Sequence, residues 1–281
     1  MEHKKFQSFY KDVGGNEGDK CHYSIRLDTY GCGCEHDCKY CYAKSLLSFR
    51  GLWDNENPAI ADINEIENVI KKIPKGTIIR LGGMTDCFQP MENVYKITYQ
   101  TIKLLNKYGI GYLIVTKSSL VAEDEYVEIL DKRLAHIQIT VTTLNDELCK
   151  TYEKATPPSE RIKAILKLQD LGFDVQIRLS PIIDQYMDYD KLNSLGIKKA
   201  IVEFLRVNNW IKQWFNIDYS DYKLKQSGYQ FLRLNKKIEI LNKIKIPEVS
   251  ICEDYTPHYK YWLVNKIPNR DDCCNLRKQE D

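Results

Sequence analysis

Between residues 25 and 205, short runs rich in Ile, Val, Leu and Tyr alternate with amphipathic stretches. This alternation constrains the fold more than any other feature. The runs are Ile25–Tyr30, Thr77–Gly82, Tyr112–Thr116, His136–Thr142, Asp174–Leu179 and Ala200–Leu205, most of them bounded by Gly, Pro or Lys, and they read as strands. Helical periodicity fills the gaps. In 93–107 it sets Ile97, Thr98, Tyr99, Ile102, Leu104 and Leu105 in one inward stripe. In 159–171 it does the same for Ile162, Ile165, Leu166 and Leu168, with Ser159 as a cap after Pro157-Pro158. Asn64 followed by Glu67 reads as a capping box. Strands separated by helices pair in parallel through right-handed crossovers, so the chain is expected to be α/β, either a barrel or an open sheet. In both architectures the active-site residues gather at the C-terminal ends of the strands.

Composition excludes several other classes. The 281 residues are 43% hydrophobic and 28% charged, the balance of an ordinary globular protein. No uncharged apolar run approaches the roughly 20 residues that span a bilayer. The opening MEHKKFQSFYKDVGGNEGDK lacks the apolar core of a secretory signal, so a cytoplasmic location is expected. In that compartment ten cysteines suit metal binding or catalysis better than a disulfide framework.

Three of those cysteines follow the first strand in the run Gly31-Cys32-Gly33-Cys34-Glu35-His36-Asp37-Cys38-Lys39-Tyr40-Cys41. Cys34, Cys38 and Cys41 have C-x3-C-x2-C spacing on a glycine-rich loop just before a helix. Three thiolates can hold three irons of a 4Fe–4S cube, and the fourth iron is then open to a ligand, whereas electron-transfer cubes take four thiolates. The competing reading is a zinc-binding module in which Cys32 or His36 is the fourth ligand. A single tight cluster favours the cube, since zinc sites usually pair two knuckles.

This spacing, with the aromatic Tyr40 before the last cysteine, resembles the signature of radical S-adenosylmethionine enzymes. The resemblance implies that the open iron chelates the methionine end of S-adenosylmethionine. It also implies reductive cleavage to a 5′-deoxyadenosyl radical that abstracts a substrate hydrogen, and a reductant such as flavodoxin or ferredoxin. A longer stretch, Gly82-Gly83-Met84-Thr85-Asp86-Cys87-Phe88-Gln89-Pro90-Met91-Glu92, is similar to a segment of the DNA-photolyase-like, spore photoproduct lyase-related subfamily. Thr116-Lys117-Ser118, Thr142-Thr143, Arg161 and Arg178-Leu179-Ser180-Pro181 fit the same group. The resemblance covers roughly 23–206 and implies a partial (β/α)6 barrel of TIM-like type. It also implies cofactor contacts from Tyr40, Gly82, Gly83, Met84, Thr85, Asp86, Lys117, Thr143, Arg178 and Ser180, with Lys117 or Arg178 meeting the methionine carboxylate. Glu92 and Glu203 are weaker candidates, and Glu92 can equally cap a helix.

The subfamily's hydrogen-donating cysteine has no counterpart at Gly83-Met84, and the nearest thiol is Cys87. Beyond Arg206 the pattern changes to helices and an irregular tail carrying Cys252, Cys273 and Cys274. These three are candidate ligands of an auxiliary iron–sulfur cluster, and Cys273 or Cys274 is a candidate hydrogen donor. Cys21 and Cys149 read as structural. His258 with Tyr255, Tyr259, Tyr261 and Trp262 is either core or a stacking pocket. From Lys198 to Lys245, eleven Lys and Arg stand against four Asp and Glu. Lys236, Lys237, Lys243 and Lys245 are therefore candidates for a phosphate-facing patch. Expected domains are an N-terminal segment (1–22), the partial barrel (23–206) and an extension covering the active site (207–281). The expected substrate is a nucleic-acid base or nucleotide, with a ribosomally made peptide as the alternative.

Overall fold

The computed structural model describes residues 6–10, 21, 23, 25–265, 273, 274 and 276. Twelve strands appear among them: β1 (Phe9–Tyr10), β2 (Ile25–Leu27), β3 (Tyr30–Gly31), β4 (Ala59–Ile60), β5 (Ile78–Leu81), β6 (Gly111–Thr116), β7 (Ala135–Thr140), β8 (Asp174–Ile182), β9 (Lys199–Phe204), β10 (Leu224–Gln226), β11 (Tyr229–Phe231) and β12 (Glu248–Cys252). Eight of them form one sheet in the order β1-β2-β5-β6-β7-β8-β9-β12. From β2 to β12 every neighbour pairs in parallel, and only β1 runs antiparallel, on β2. This is the expected α/β partial barrel, with the six expected strands in sequence order.

A seventh parallel strand comes from the tail. β12 pairs with β9 from Glu248↔Lys199 to Cys252↔Glu203, so the extension continues the barrel sheet. The first expected strand is shorter than its run, because Asp28 and Thr29 separate β2 from β3, which pairs with β4 instead. The barrel strands are buried along nearly their whole length, as in Gly111–Thr116 and Ala135–Thr140. Parallel strands covered on both faces show this pattern.

The helix over 93–107 is interrupted. Lys96 adopts a left-handed conformation (φ 53°) and splits it into Glu92–Tyr95 and Ile97–Tyr108. The second piece buries Ile97, Thr98, Ile102 and Leu105 of the expected stripe. Caps also differ from expectation. Asp62, not Asn64, caps Ile63–Ile70 by accepting from the Asn64 amide at 2.8 Å. Pro157 precedes helix Pro158–Asp170, and Ser159 donates its amide to Asp146 at 2.9 Å. No helix among the described residues is long and apolar enough to cross a membrane.

Candidate active site

The signature loop leaves β3 and returns the chain into helix Tyr42–Phe49. Its shape requires glycine at position 33, where a Cβ would stand 1.9 Å from the Asp54 carbonyl oxygen. Cys41 is the helix N-cap and its Sγ accepts the Lys44 amide at 3.4 Å. Cys34, Cys38 and Cys41 all line one cavity, together with the ends of the barrel strands. Burial and the nearby Asp86 charge push the Cys34 thiol up to about 12. Cys38 is raised as well, mainly by burial, although Lys117 opposes the shift. Metal binding must therefore displace protons from these thiols.

Tyr40 and Lys117 belong to a buried electrostatic cluster behind the loop. Tyr40 donates its hydroxyl to Glu153, which also accepts from Cys149 Sγ at 2.8 Å and pairs with the fully buried Arg161. Cys38 Sγ lies 3.9 Å from Glu153 Oε2. Burial disfavours the Glu153 charge, but Arg161 and Lys117 hold its carboxyl below the usual range. Lys117 extends over the Tyr40 ring, 5.7 Å from its centroid. Arg161 thus braces the loop from behind, and Cys149 is part of that brace.

At the end of β5, Gly82 turns with φ 78°, and a Cβ there would stand 2.9 Å from the Val115 carbonyl oxygen. The amides of Gly83 (2.7 Å), Met84 (3.0 Å) and Thr85 (3.4 Å) all donate to Asp28 Oδ1. Burial raises Asp28 to about 6, against these three bonds. Asp28 was invisible in the sequence because it lies on the preceding strand connection, outside every motif. Thr85 donates its hydroxyl to the Tyr30 carbonyl, which ties the turn to β3.

Asp86 accepts from Thr116 Oγ1 (2.7 Å), the Lys117 amide (2.7 Å) and the Phe88 amide (2.9 Å), and its Oδ2 lies 3.3 Å from His36 Nδ1. Burial works against its charge, yet His36 and these bonds hold it at about 2. With both oxygens engaged, Asp86 fastens the signature loop to β6. It positions the site and has little acceptor capacity left for a ligand. Glu92 is fully buried and caps the helix at Ile97 through the Thr98 (2.9 Å) and Tyr99 (2.8 Å) amides.

Arg178 and Ser180 line the same cavity, but both are committed to Glu203. Arg178 pairs with it and donates to Gln138 at 2.7 Å, and Ser180 donates to Glu203 Oε2 at 2.7 Å. Burial disfavours the Glu203 charge, while Arg178 and Arg206 bring it to about 2. Lys117 is therefore the better placed of the two candidates for a carboxylate. Thr143 is not in this cavity. It lines a shallow pocket with Asn145 and Asp188 and donates to the Tyr186 carbonyl at 2.8 Å. Cys87 is 1% exposed and packs in the core behind the cavity wall, so its thiol has no route to a substrate there.

The tail reaches the cavity with Cys252, Glu253, Asp254, Tyr259, Cys273 and Cys274, and Cys21 joins them from the other end of the chain. Cys273 and Cys274 hold their sulfurs 3.9 Å apart. The bond from Cys273 lowers Cys274 to about 6 against its burial, assisted by Arg178, Gln138 and Arg80. The lysine patch does not form as expected. Lys237 is 0% exposed and pairs with Glu253, while Lys236 and Lys243 both pair with Asp184 and Glu239. Trp262 donates to the same Glu253 at 3.0 Å and His258 packs edge-on against Tyr255; these two residues are buried, while Tyr255 and Tyr261 are half-buried and Tyr259 lines the cavity.

The family described as the radical SAM superfamily matches residues 29–189, from the residue before β3 to the start of the helix Tyr189–Ser194. The chain belongs to the radical SAM superfamily. An uncharacterized protein of Methanocaldococcus jannaschii is 27% identical over 230 residues, covering 78% of this chain and 85% of that protein. A radical SAM Nα-GlyT isomerase of Pseudomonas phage M6 is 22% identical over 216 residues, covering 71% of this chain and 43% of the phage protein. Among solved structures, a spore photoproduct lyase mutant with dinucleoside spore photoproduct matches with a TM-score of 0.62 at 15% identity. The match covers 82% of this chain and 76% of that one, and the two share a fold.

The residues present fit the cluster that this superfamily carries. Among the described residues no three His, Cys, Asp or Glu side chains converge as a single ion requires. A cube bonds each thiolate to a different iron, so Cys34, Cys38 and Cys41 need only surround a common space. The zinc module is thereby replaced by a radical SAM enzyme.

Proposed function

We propose that this radical SAM enzyme acts on a nucleic-acid base or nucleotide held between the signature loop and the tail. One observation carries the substrate class. Arg206, at the end of β9, stacks its guanidinium on the Tyr42 ring at 4.2 Å and pairs with Asp254 at 3.1 Å, and all three residues line the cavity. Tyr42 directly follows Cys41 and donates its hydroxyl to the Gly83 carbonyl at 2.9 Å. The stack thus stands between the cluster ligands and the cofactor turn. A guanidinium on an aromatic ring gives a flat face for a base, and the Arg206–Asp254 pair offers a donor and an acceptor to a base edge. The fold shared with spore photoproduct lyase supports the same reading.

When bound, the cluster and S-adenosylmethionine supply a 5′-deoxyadenosyl radical that abstracts a substrate hydrogen. Cys34, Cys38 and Cys41 would hold the cluster. The turn Gly82-Gly83-Met84-Thr85 would hold the cofactor, and the Lys117 ammonium would meet its carboxylate through a charge-assisted bond. Asp28 keeps the turn's amides occupied and its shape fixed. Arg178, Ser180 and Glu203 build the wall beside the tail.

Anaerobic turnover with reductant and S-adenosylmethionine tests the reading. Thymidine dinucleotides are expected to raise 5′-deoxyadenosine formation, and Arg206→Ala is expected to raise the nucleotide KM more than it lowers kcat. Stimulation by peptides and none by nucleotides would overturn the substrate class.

A further inference from the structure

Two segments of the chain lead from the reaction cavity to exposed aromatic rings. The first starts at Tyr42 of the guanidinium stack, runs through helix Tyr42–Phe49 and comes back to the cavity at Trp53. The second starts at Arg206 and runs through helix Asn209–Trp214. Asn208 donates its side-chain amide to Ser45 Oγ at 3.1 Å, and the Lys44 ammonium stands 5.1 Å from the Trp214 ring centroid, so the two helices lie side by side. Trp210 stands against Trp214 with ring centroids 5.4 Å apart. Phe49, one turn beyond Ser45 on the same helix face, is 76% exposed, and Trp210 is 41% exposed.

Scattered apolar residues on a surface need no explanation, but these rings stand next to the cavity and have a one-sided charge around them. Residues 42–52 and 206–216 carry Lys44, Arg50, Arg206 and Lys212 and no Asp or Glu. Lys44 pairs with Asp37 at 2.7 Å, and Arg50 and Lys212 are exposed beside the aromatic rings. At the cavity end, the buried indole N–H of Trp53 finds no acceptor among the described residues. Flat apolar faces, cations and a spare donor suit a polyanion whose units are themselves flat and apolar. A lipid surface or an apolar peptide would use the rings but not the cations.

We propose that helices Tyr42–Phe49 and Asn209–Trp214 form a stacking platform for a single-stranded nucleic acid, which holds the flank of the strand while the target base enters the cavity. The proposal rests on the nucleotide reading above and narrows its substrate to a base within a strand. Unpaired bases stack on Trp210 and Phe49 whatever their sequence, because every base has a π-face. Arg50 and Lys212 meet phosphates, which position the strand without reading it. The Arg206–Tyr42 stack, at the root of both helices, is the last station before the cavity.

The test titrates the anaerobically reconstituted enzyme, with S-adenosylmethionine, into two fluorescein-labelled probes read by anisotropy. One is thymidine dinucleotide and the other an oligothymidylate of about ten nucleotides, within the usual site size of a single-strand-binding fold. The oligothymidylate is expected to bind about tenfold or more tighter, since each stacked base adds affinity. Trp210→Ala is expected to weaken its binding by about fivefold or more, and Trp210→Tyr to restore most of the loss. Arg50→Gln with Lys212→Gln is expected to flatten the slope of log affinity against log salt by about 1.4, about 0.7 for each phosphate contact. An oligothymidylate that binds no tighter than the dinucleotide overturns the platform and leaves the base site standing. A protein that binds neither probe overturns the nucleotide reading as well. Unchanged affinity in Trp210→Ala also overturns the platform, and an unchanged salt slope together with tight binding of an apolar peptide assigns the rings to a protein partner instead.

Discussion

Removing the Arg161 guanidinium tests the brace behind the signature loop. Arg161 and Glu153 are both 0% exposed at their side chains. Arg161 donates to Glu153 and, at 2.9 Å, to the Thr140 carbonyl, and Glu153 carries the Tyr40 hydroxyl one residue before Cys41. Arg161→Met leaves the Glu153 carboxylate buried without the guanidinium paired to it, with Lys117 as the remaining nearby cation. Breaking a buried pair from one side costs about 3–5 kcal/mol. For 281 residues, an unfolding entropy of about 2.1 cal/mol/K per residue gives about 0.6 kcal/mol/K, so the melting temperature falls by about 5–8 °C. Adding Glu153→Gln removes the stranded charge and is expected to recover more than half of the loss. Thermal melts and urea midpoints on the anaerobic protein read both effects, and iron content reports the loop. A loss under about 1 kcal/mol for Arg161→Met, or no recovery in the double variant, would refute the argument.

Asp28 makes a pH prediction. Its folded pKa of about 6 lies above the ordinary 3.8, so the folded chain holds the proton more tightly than the unfolded one. Its contribution is fully present below pH 3.8 and is lost as the pH rises through about 6, a swing of about 3 kcal/mol. Asp28→Asn removes that slope, and urea midpoints between pH 4.5 and 6.5 that run parallel for the two proteins would contradict it. Lys237 separates structure from binding. Lys237→Met takes the ammonium from the buried Glu253 carboxylate and is expected to cost about 3–5 kcal/mol, whereas Lys236→Gln with Lys243→Gln is expected to leave the salt dependence of nucleotide binding unchanged. A salt slope that flattens in the second variant would restore the lysine patch.

Much of the barrel is legible in the sequence, because parallel strands buried on both faces are nearly continuous apolar runs such as Tyr112–Thr116. β12 is hidden: Glu248-Val249-Ser250-Ile251-Cys252 is short and polar at one end, and only its pairing with β9 makes it a strand. The signature cysteines are legible because local spacing defines them. Asp28, Glu153 and Arg206 are not, since each acts on residues brought near by the fold. Tyr40 and Glu153, for instance, are 113 positions apart. The lysine segment misleads for the complementary reason: composition counts charges, while Lys237 meets Glu253 only in the folded chain. Cys21 reads as structural because nothing in its neighbourhood announces the tail cysteines beside it.

The central claim is radical hydrogen abstraction from a nucleotide, and isotope transfer measures it most directly. Anaerobic enzyme with reductant and S-adenosylmethionine is incubated with fully deuterated thymidine dinucleotide or, separately, with a deuterated peptide. 5′-Deoxyadenosine is then analysed by mass spectrometry. Deuterium is expected in 5′-deoxyadenosine from the nucleotide alone, and its appearance requires Cys34, Cys38 and Cys41. Unlabelled 5′-deoxyadenosine with the nucleotide, together with label transferred from the peptide, would contradict the account.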